Sequence, residues 1–337
     1  MAFPSPSGPN SYIWNLKQVY NARLGNNWPS PPAIGFFAGG DSGVSKTNVI
    51  QYVQITSSGN TLDFGDLTLA RDTQNSAVAN TTRGIWQGGN GAPTNPWSNV
   101  IDYITIASTG NAQDFGDLTL ARRAGSAAGN NSTRGILAGG QIAPAGGATN
   151  IIDFITMATI GNSTDFGDLA TPRYRLGAAT NSTRALQFGG SAPGDAQNAN
   201  IDYITIATQG NSANFGSLTN AARAMAGFAS TTRGCRIGGF SDGGGGDPAG
   251  TFNIIDFVTI ATTGNATDFG DLTVARSYTA GIDNSVKGLA AGGIDPAALN
   301  VIDFVTIASA GNATDFGDLL SAIYGAAGSS SANAGTQ

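Results

Sequence analysis

Aspartates and arginines recur in register along this chain, and they are the first residues to question for chemistry. Asp66, Asp117, Asp168, Asp271 and Asp318 each follow a glycine, and Arg71, Arg122, Arg173, Arg223 and Arg276 come a few residues later. A carboxylate and a guanidinium at a fixed spacing can form an ion pair, or each can hydrogen-bond the backbone of a turn. Clustered carboxylates and carbonyls can also hold calcium, and two carboxylates can divide acid and base work on a glycosidic bond. The series has gaps: Ser217 replaces one aspartate, and Ile34 and Ile323 stand where two recurring arginines would be. A structural ion pair or turn hydrogen bond is the expectation, with calcium as its rival.

Composition narrows the chemistry further. The chain has 337 residues and no histidine, and all 22 acidic residues are aspartates. Without histidine there is no Ser-His or Cys-His nucleophile pair, no imidazole metal ligand and no side chain that titrates near neutrality without a large shift. The single cysteine, Cys235, excludes an internal disulfide and any Cys-rich zinc site, and reads as a small buried apolar residue. No cofactor is expected. A net charge of -6 offers no basic stripe for phosphates, so nucleic acid is not an expected partner.

The elements that must position these residues are repeats. The string DFGDL or a near copy occurs six times, with its phenylalanine at Phe64, Phe115, Phe166, Phe215, Phe269 and Phe316. A diglycine recurs in step, from Gly39-Gly40 to Gly292-Gly293, as does an alternating run such as Val100 to Ile106 or Val301 to Ile307. Each repeat predicts four short strands: one of small residues, one ending on the diglycine, the alternating strand, and one around the phenylalanine. Glycine interrupts every candidate helical window within the repeats.

Strand order, spacing and a repeat of roughly 50 residues resemble the Kelch motif, as in the central domain of galactose oxidase, with Phe where Trp is usual. The resemblance implies an all-β, closed six-bladed Kelch-like β-propeller of four antiparallel strands per blade. The first diglycine strand, Ala33 to Gly40, lacks a small-residue strand before it. Tyr324 to Ser330 matches the missing one, so the chain ends are expected to share a blade. Domain bounds follow: an anchoring segment over 1–32, the propeller over 33–331 and a tail over 332–337. Ser163 to Gly167 brushes the sialidase Asp-box pattern, but most copies lack the serine, and with no glutamate anywhere that likeness fails.

In such a fold the turns between first and second and between third and fourth strands open on one side, and here they barely vary. Loops 41–47, 90–98, 141–149, 191–199, 240–252 and 294–299 open on the other side and carry the diversity. Exposed loops on a rigid scaffold commonly bind, and Trp97, Phe240 and Phe252 are the expected aromatic anchors there. Loop drift without selection is the competing reading. Asn-x-Ser/Thr triplets such as Asn80-Thr81-Thr82 read as turn residues.

Residues 1–32 stand outside the repeat. Between two groups of prolines, Ile13, Leu16, Val19, Tyr20 and Leu24 fall at helical spacing, with Ser11 as N-cap and Gly25 past the end. This predicts an amphipathic helix, too short at about 12 residues to stand alone in water. No secretory signal or spanning segment is visible at the sequence level. Trp14 to Lys17 and Asn27 to Pro29, followed by repeats bearing TRG, NVIDYITIA and DFGDLT, resemble virion structural proteins of tailed phages of marine bacteria and cyanobacteria.

That resemblance implies a non-enzymatic tail-fibre, appendage or capsid-associated protein, made in the host cytoplasm and located in the virion. Its anchor, Ile13, Trp14, Leu16, Val19, Tyr20 and Leu24, would bind other virion proteins. Its loops would meet a host cell-surface receptor or glycan, or neighbouring subunits, with no membrane insertion and with homo-oligomerisation left open. A cellular Kelch-type adaptor or a lectin is the alternative, and an aspartate-only carbohydrate-active enzyme a third.

Overall fold

A computed structural model describes residues 33–91, 97–123, 125–142, 147–244, 247–333 and 335. The expected N-terminal helix and its anchor residues lie outside them. The described part is all-β, with a short 3-10 turn over Pro193–Asp195. No helix there is long and apolar enough to cross a membrane.

One repeat shows why the sequence folds this way. The small-residue strand Gly177–Thr180 pairs antiparallel with Arg184–Phe188, which pairs with Asn198–Thr205, which pairs with Ala213–Ala222. Asn181 makes the first turn: its Oδ1 accepts the backbone N–H of Thr183 at 3.0 Å and of Arg184 at 2.9 Å, the local bond that favours asparagine in turns. The second strand stops at Gly189 and Gly190, whose φ of 49° and 91° lies where glycine meets no steric penalty. Five other four-stranded sheets are built alike.

The sheet holding Ile34–Ala38, Val49–Gln54 and Leu62–Asp66 takes its edge strand from the far end of the chain: Ala327–Ser330 pairs with Ile34–Ala38 through Phe36↔Ser329 and Phe37↔Gly328. Small-residue strands of successive sheets touch one another, Ala77–Ala79 meeting both Ser126–Asn130 and Ala327–Ser330. The approach is tight enough to require glycine: a Cβ on Gly281 would lie 2.1 Å from the Gly227 carbonyl oxygen, and one on Gly328 2.4 Å from that of Gly281. Bulkier strands pack sheet on sheet. Val78, Ile85 and Phe115 of one sheet share a core with Leu137, Ile155 and Met157 of the next, and Leu289 and Phe316 share another with Phe37 and Ile55.

Candidate functional site

The recurring arginines do pair, but with partners other than the glycine-flanked aspartates. Arg71 meets Asp102 at 2.7 Å, Arg122 meets Asp153 at 2.9 Å, Arg276 meets Asp303 at 3.1 Å, and Arg173 meets Asp202. Each aspartate lies on the alternating strand of the following sheet, and these groups are almost wholly buried. Burial pulls the guanidinium pKa values of Arg71, Arg122, Arg173 and Arg276 down, against which the facing carboxylate holds them up. Asp66, Asp117, Asp168, Asp271 and Asp318 are half-buried. Their backbone N–H groups donate to Asn111, Asn162, Asn211, Asn312 and Asn60 of the next sheet at 3.0–3.1 Å. Among the described residues no three His, Cys, Asp or Glu side chains gather to hold a metal.

Arg223 also departs from expectation, being one residue out of step. The other arginines stand four residues after a leucine, as Arg71 does after Leu67, whereas Ala222 holds that place after Leu218. Asp256 is instead paired by Arg236 at 3.0 Å, reaching across from the neighbouring strand. In the sheet shared by the two chain ends both partners change together: Ile323 replaces the arginine, and Gln51 replaces the aspartate, accepting from Thr61 Oγ1 at 2.6 Å and Leu320 N–H at 2.8 Å.

A second cation series is equally structural. Arg83, Arg134, Arg184, Arg233 and Lys287 lie 4.6–5.1 Å over the rings of Tyr103, Phe154, Tyr203, Phe257 and Phe304. Each also donates to a backbone carbonyl of the next sheet, Arg83 to Met157 at 2.8 Å and Lys287 to Thr56 at 3.4 Å.

Four cations among the described residues belong to neither series: Lys46, Arg123, Arg175 and Arg223. All sit in the connectors between sheets or in the variable loops bridged to them. Arg223 binds Asp242 at 3.0 Å and approaches Asp195 at 3.5 Å. Arg175 lies 5.3 Å from the Tyr174 ring centroid and 5.8 Å from that of Tyr278, with its nearest carboxylate oxygen, on Asp195, at 3.6 Å. Tyr278 packs edge-on against Tyr324. Arg175, Ala224 and Tyr278 have φ of 54–56°, a left-handed conformation that side chains rarely adopt. With Gln74, Asn75 and Gly325 they line a small pocket. Asn75 Nδ2 donates to the Met225 carbonyl at 2.8 Å behind it.

Beside the pocket Asp72 is buried, its pKa pushed from the ordinary 3.8 to about 7 by burial, which the hydrogen bond from Gln74 and the charge of Lys46 only partly offset. Burial likewise raises Tyr278, and Arg175 lowers it.

Of the expected anchors, Trp97 and Phe240 are half-buried in this region, under Arg123 at 5.5 Å and Arg223 at 5.2 Å. Phe252 is buried in the core with Phe188 and Met225, and presents almost no ring outward. Sequence reasoning passed over Lys46, Gln74, Arg123, Tyr174, Arg175, Tyr278 and Tyr324. Their one signal was that they break the repeat, in the connectors after the arginine position or, for Lys46, in the loop bridged to one of them. No protein-family model matches this chain, and no curated protein matches it.

Proposed function

We propose that residues 33–331 form a closed six-bladed Kelch-like β-propeller that binds or scaffolds rather than catalyses. On the resemblance of its termini and repeats, we further propose a virion structural protein of a tailed phage, made in the host cytoplasm. Closure is supported by the sheet that both chain ends share and by hydrogen bonds from sheet to sheet that include Asp318 N–H to Asn60 Oδ1, across the termini. One observation carries the binding role: the two repeating cation series are spent on holding sheets together, while the unrepeated cations and Tyr174, Tyr278 and Tyr324 collect at the connectors beside the variable loops. An interior that repeats unchanged and loops that differ from repeat to repeat are the division of labour of a scaffold displaying a binding surface. Residues 1–32 then serve as attachment to the particle.

Two constructive changes test this. Replacing residues 90–97 and 240–251 by short Gly-Ser turns, which spares the core ring of Phe252 and the buried Ser98, abolishes binding to host cells or particle subunits and leaves the melting temperature within a few degrees. Deleting residues 1–32 abolishes incorporation into particles and leaves the loop-dependent binding intact. Unchanged binding after loop replacement refutes the display role, and normal incorporation of the truncated chain refutes the anchor.

A further inference from the structure

Hydrogen-bonding capacity around the small pocket is unevenly spent. Gln74 donates its Nε2 to the Asp72 carboxylate, which fixes the amide with Oε1 pointing away, and that buried oxygen has no partner among the described residues. Arg175 is held between the Tyr174 and Tyr278 rings, its side chain a quarter exposed, and among the described contacts its guanidinium donates no hydrogen bond. Lys46, half-buried, likewise faces Asp41 and Asp72 without a bond of hydrogen-bonding length. The buried acceptor costs stability unless something meets it, while Arg175, with only Asp195 at 3.6 Å, keeps guanidinium donors free for a ligand. A left-handed backbone at Arg175 and Tyr278 adds to that cost and directs both side chains to one spot.

We infer that this pocket mouth binds a carboxylate-bearing sugar of the hexuronic acid type, as one unit of an acidic polysaccharide; the inference rests on the loop-side binding role proposed above. The chemistry matches group by group. A sugar carboxylate accepts the two parallel N–H groups of Arg175. A ring hydroxyl reaches Gln74 Oε1 through a single bridging water, the most the small pocket admits. The apolar C–H face of a pyranose lies on the Tyr278 ring, large, rigid and polar at one end, with Tyr324 standing edge-on beside it. An acidic peptide could satisfy Arg175 but has no rigid, hydroxyl-bearing ring to offer Gln74 and the tyrosines together.

The test is calorimetric titration of the full chain with three probes: tri-galacturonate, neutral galactotriose and an oligo-aspartate peptide. The expected result is binding of tri-galacturonate alone, weakened at least about 10-fold in Arg175→Gly, the loss of one charge-assisted contact. Glycine suits the left-handed φ, so the variant keeps the fold. Gln74→Leu, which removes the acceptor and leaves the charge, is expected to weaken binding by about 5-fold or more. Equal binding of the neutral trisaccharide overturns the acidic class, and equal or tighter binding of the peptide overturns the sugar. If no probe binds while the intact chain still binds cells through its loops, this inference fails and the display role survives. If loop replacement also changes nothing, both fail.

Discussion

Arg71 and Asp102 form an ion pair whose two side chains are fully buried, 2.7 Å apart. Replacing Arg71 by isoleucine strands the carboxylate; replacing Asp102 by glutamine strands the guanidinium. Breaking a buried pair from one side costs about 3–5 kcal/mol, a large share of the 5–15 kcal/mol typical of a folded domain. The double change is different, because the same chain already carries it elsewhere: Ile323 and Gln51 hold the equivalent places where the two termini meet. There the amide needs no charge partner, since Thr61 Oγ1 and the Leu320 N–H satisfy its oxygen.

Arg71→Ile with Asp102→Gln is therefore expected to lose less than either single variant, a coupling of about 3 kcal/mol. Ala112→Thr, which supplies the hydroxyl that Thr61 gives Gln51, is expected to recover more. Urea unfolding read by fluorescence suits the site, because the buried Trp86 accepts from Arg71 through its carbonyl. The midpoint should shift at constant slope, which marks a change in stability alone. A double variant that falls by the sum of the singles would refute the reasoning, and would mean that the isoleucine–glutamine site is held by its own surroundings rather than by the exchange.

Gly65→Ala should destabilise by at least about 1–3 kcal/mol, since φ is 149° and a Cβ would lie 2.4 Å from the Gly110 carbonyl oxygen. Gly110→Ala, at φ of 153° with open space around it, should cost clearly less in the same thermal melt. For Asp72 the folded pKa is raised, so its contribution is fully present below the unfolded value of 3.8 and is lost as pH climbs to about 7. Wild type should weaken relative to Asp72→Asn across that window, by a ceiling of about 4 kcal/mol at 1.36 kcal/mol per pH unit, and run parallel to it above pH 7; parallel curves throughout would show that Asp72 stays ionised. Truncation after Ile323 removes the strand paired with Ile34–Ala38, so hydrogen exchange at residues 35–38 should lose its protection while that of Arg184–Phe188 persists.

Strands, turns and the meeting of the two termini were legible in the sequence because each depends on local periodicity and turn chemistry, which a repeat prints several times over. The pairing of charges was not. Arg71, in the connector between two sheets, and Asp102, on a strand of the second, are 31 residues apart, so proximity in sequence pointed to Asp66, which is nearer in the chain. Arg236 was illegible for the opposite reason: it sits where other repeats carry Trp86, Leu137, Gln187 or Ala290, and only the pairing of its strand with Asp256 shows that it replaces the arginine missing at Ala222. Phe252 misled because a loop boundary was drawn through it; Phe252 N–H donates to the Gly239 carbonyl, and the ring turns inward.

Variation settles at the connectors for a physical reason. Asp72, Arg123, Tyr174, Arg223, Ser277 and Tyr324 occupy equivalent places, and each is bridged to the neighbouring variable loop by its backbone, to Asn90, Gln141, Ser191, Phe240, Ile294 and Asp41 in turn. A contact made through N–H and C=O groups constrains φ and ψ and leaves the side chain almost free. One residue earlier the constraint is reversed: there the buried arginine side chain must find a carboxylate, and a change there is compensated, by the partner where Ile323 faces Gln51 or by another cation where Arg236 pairs Asp256 beside Ala222. Adjacent positions thus carry opposite demands, so chemical diversity can accumulate beside the pocket without disturbing the buried pairs. That is why the residues that break the repeat, rather than those that keep it, are the ones to test for ligands.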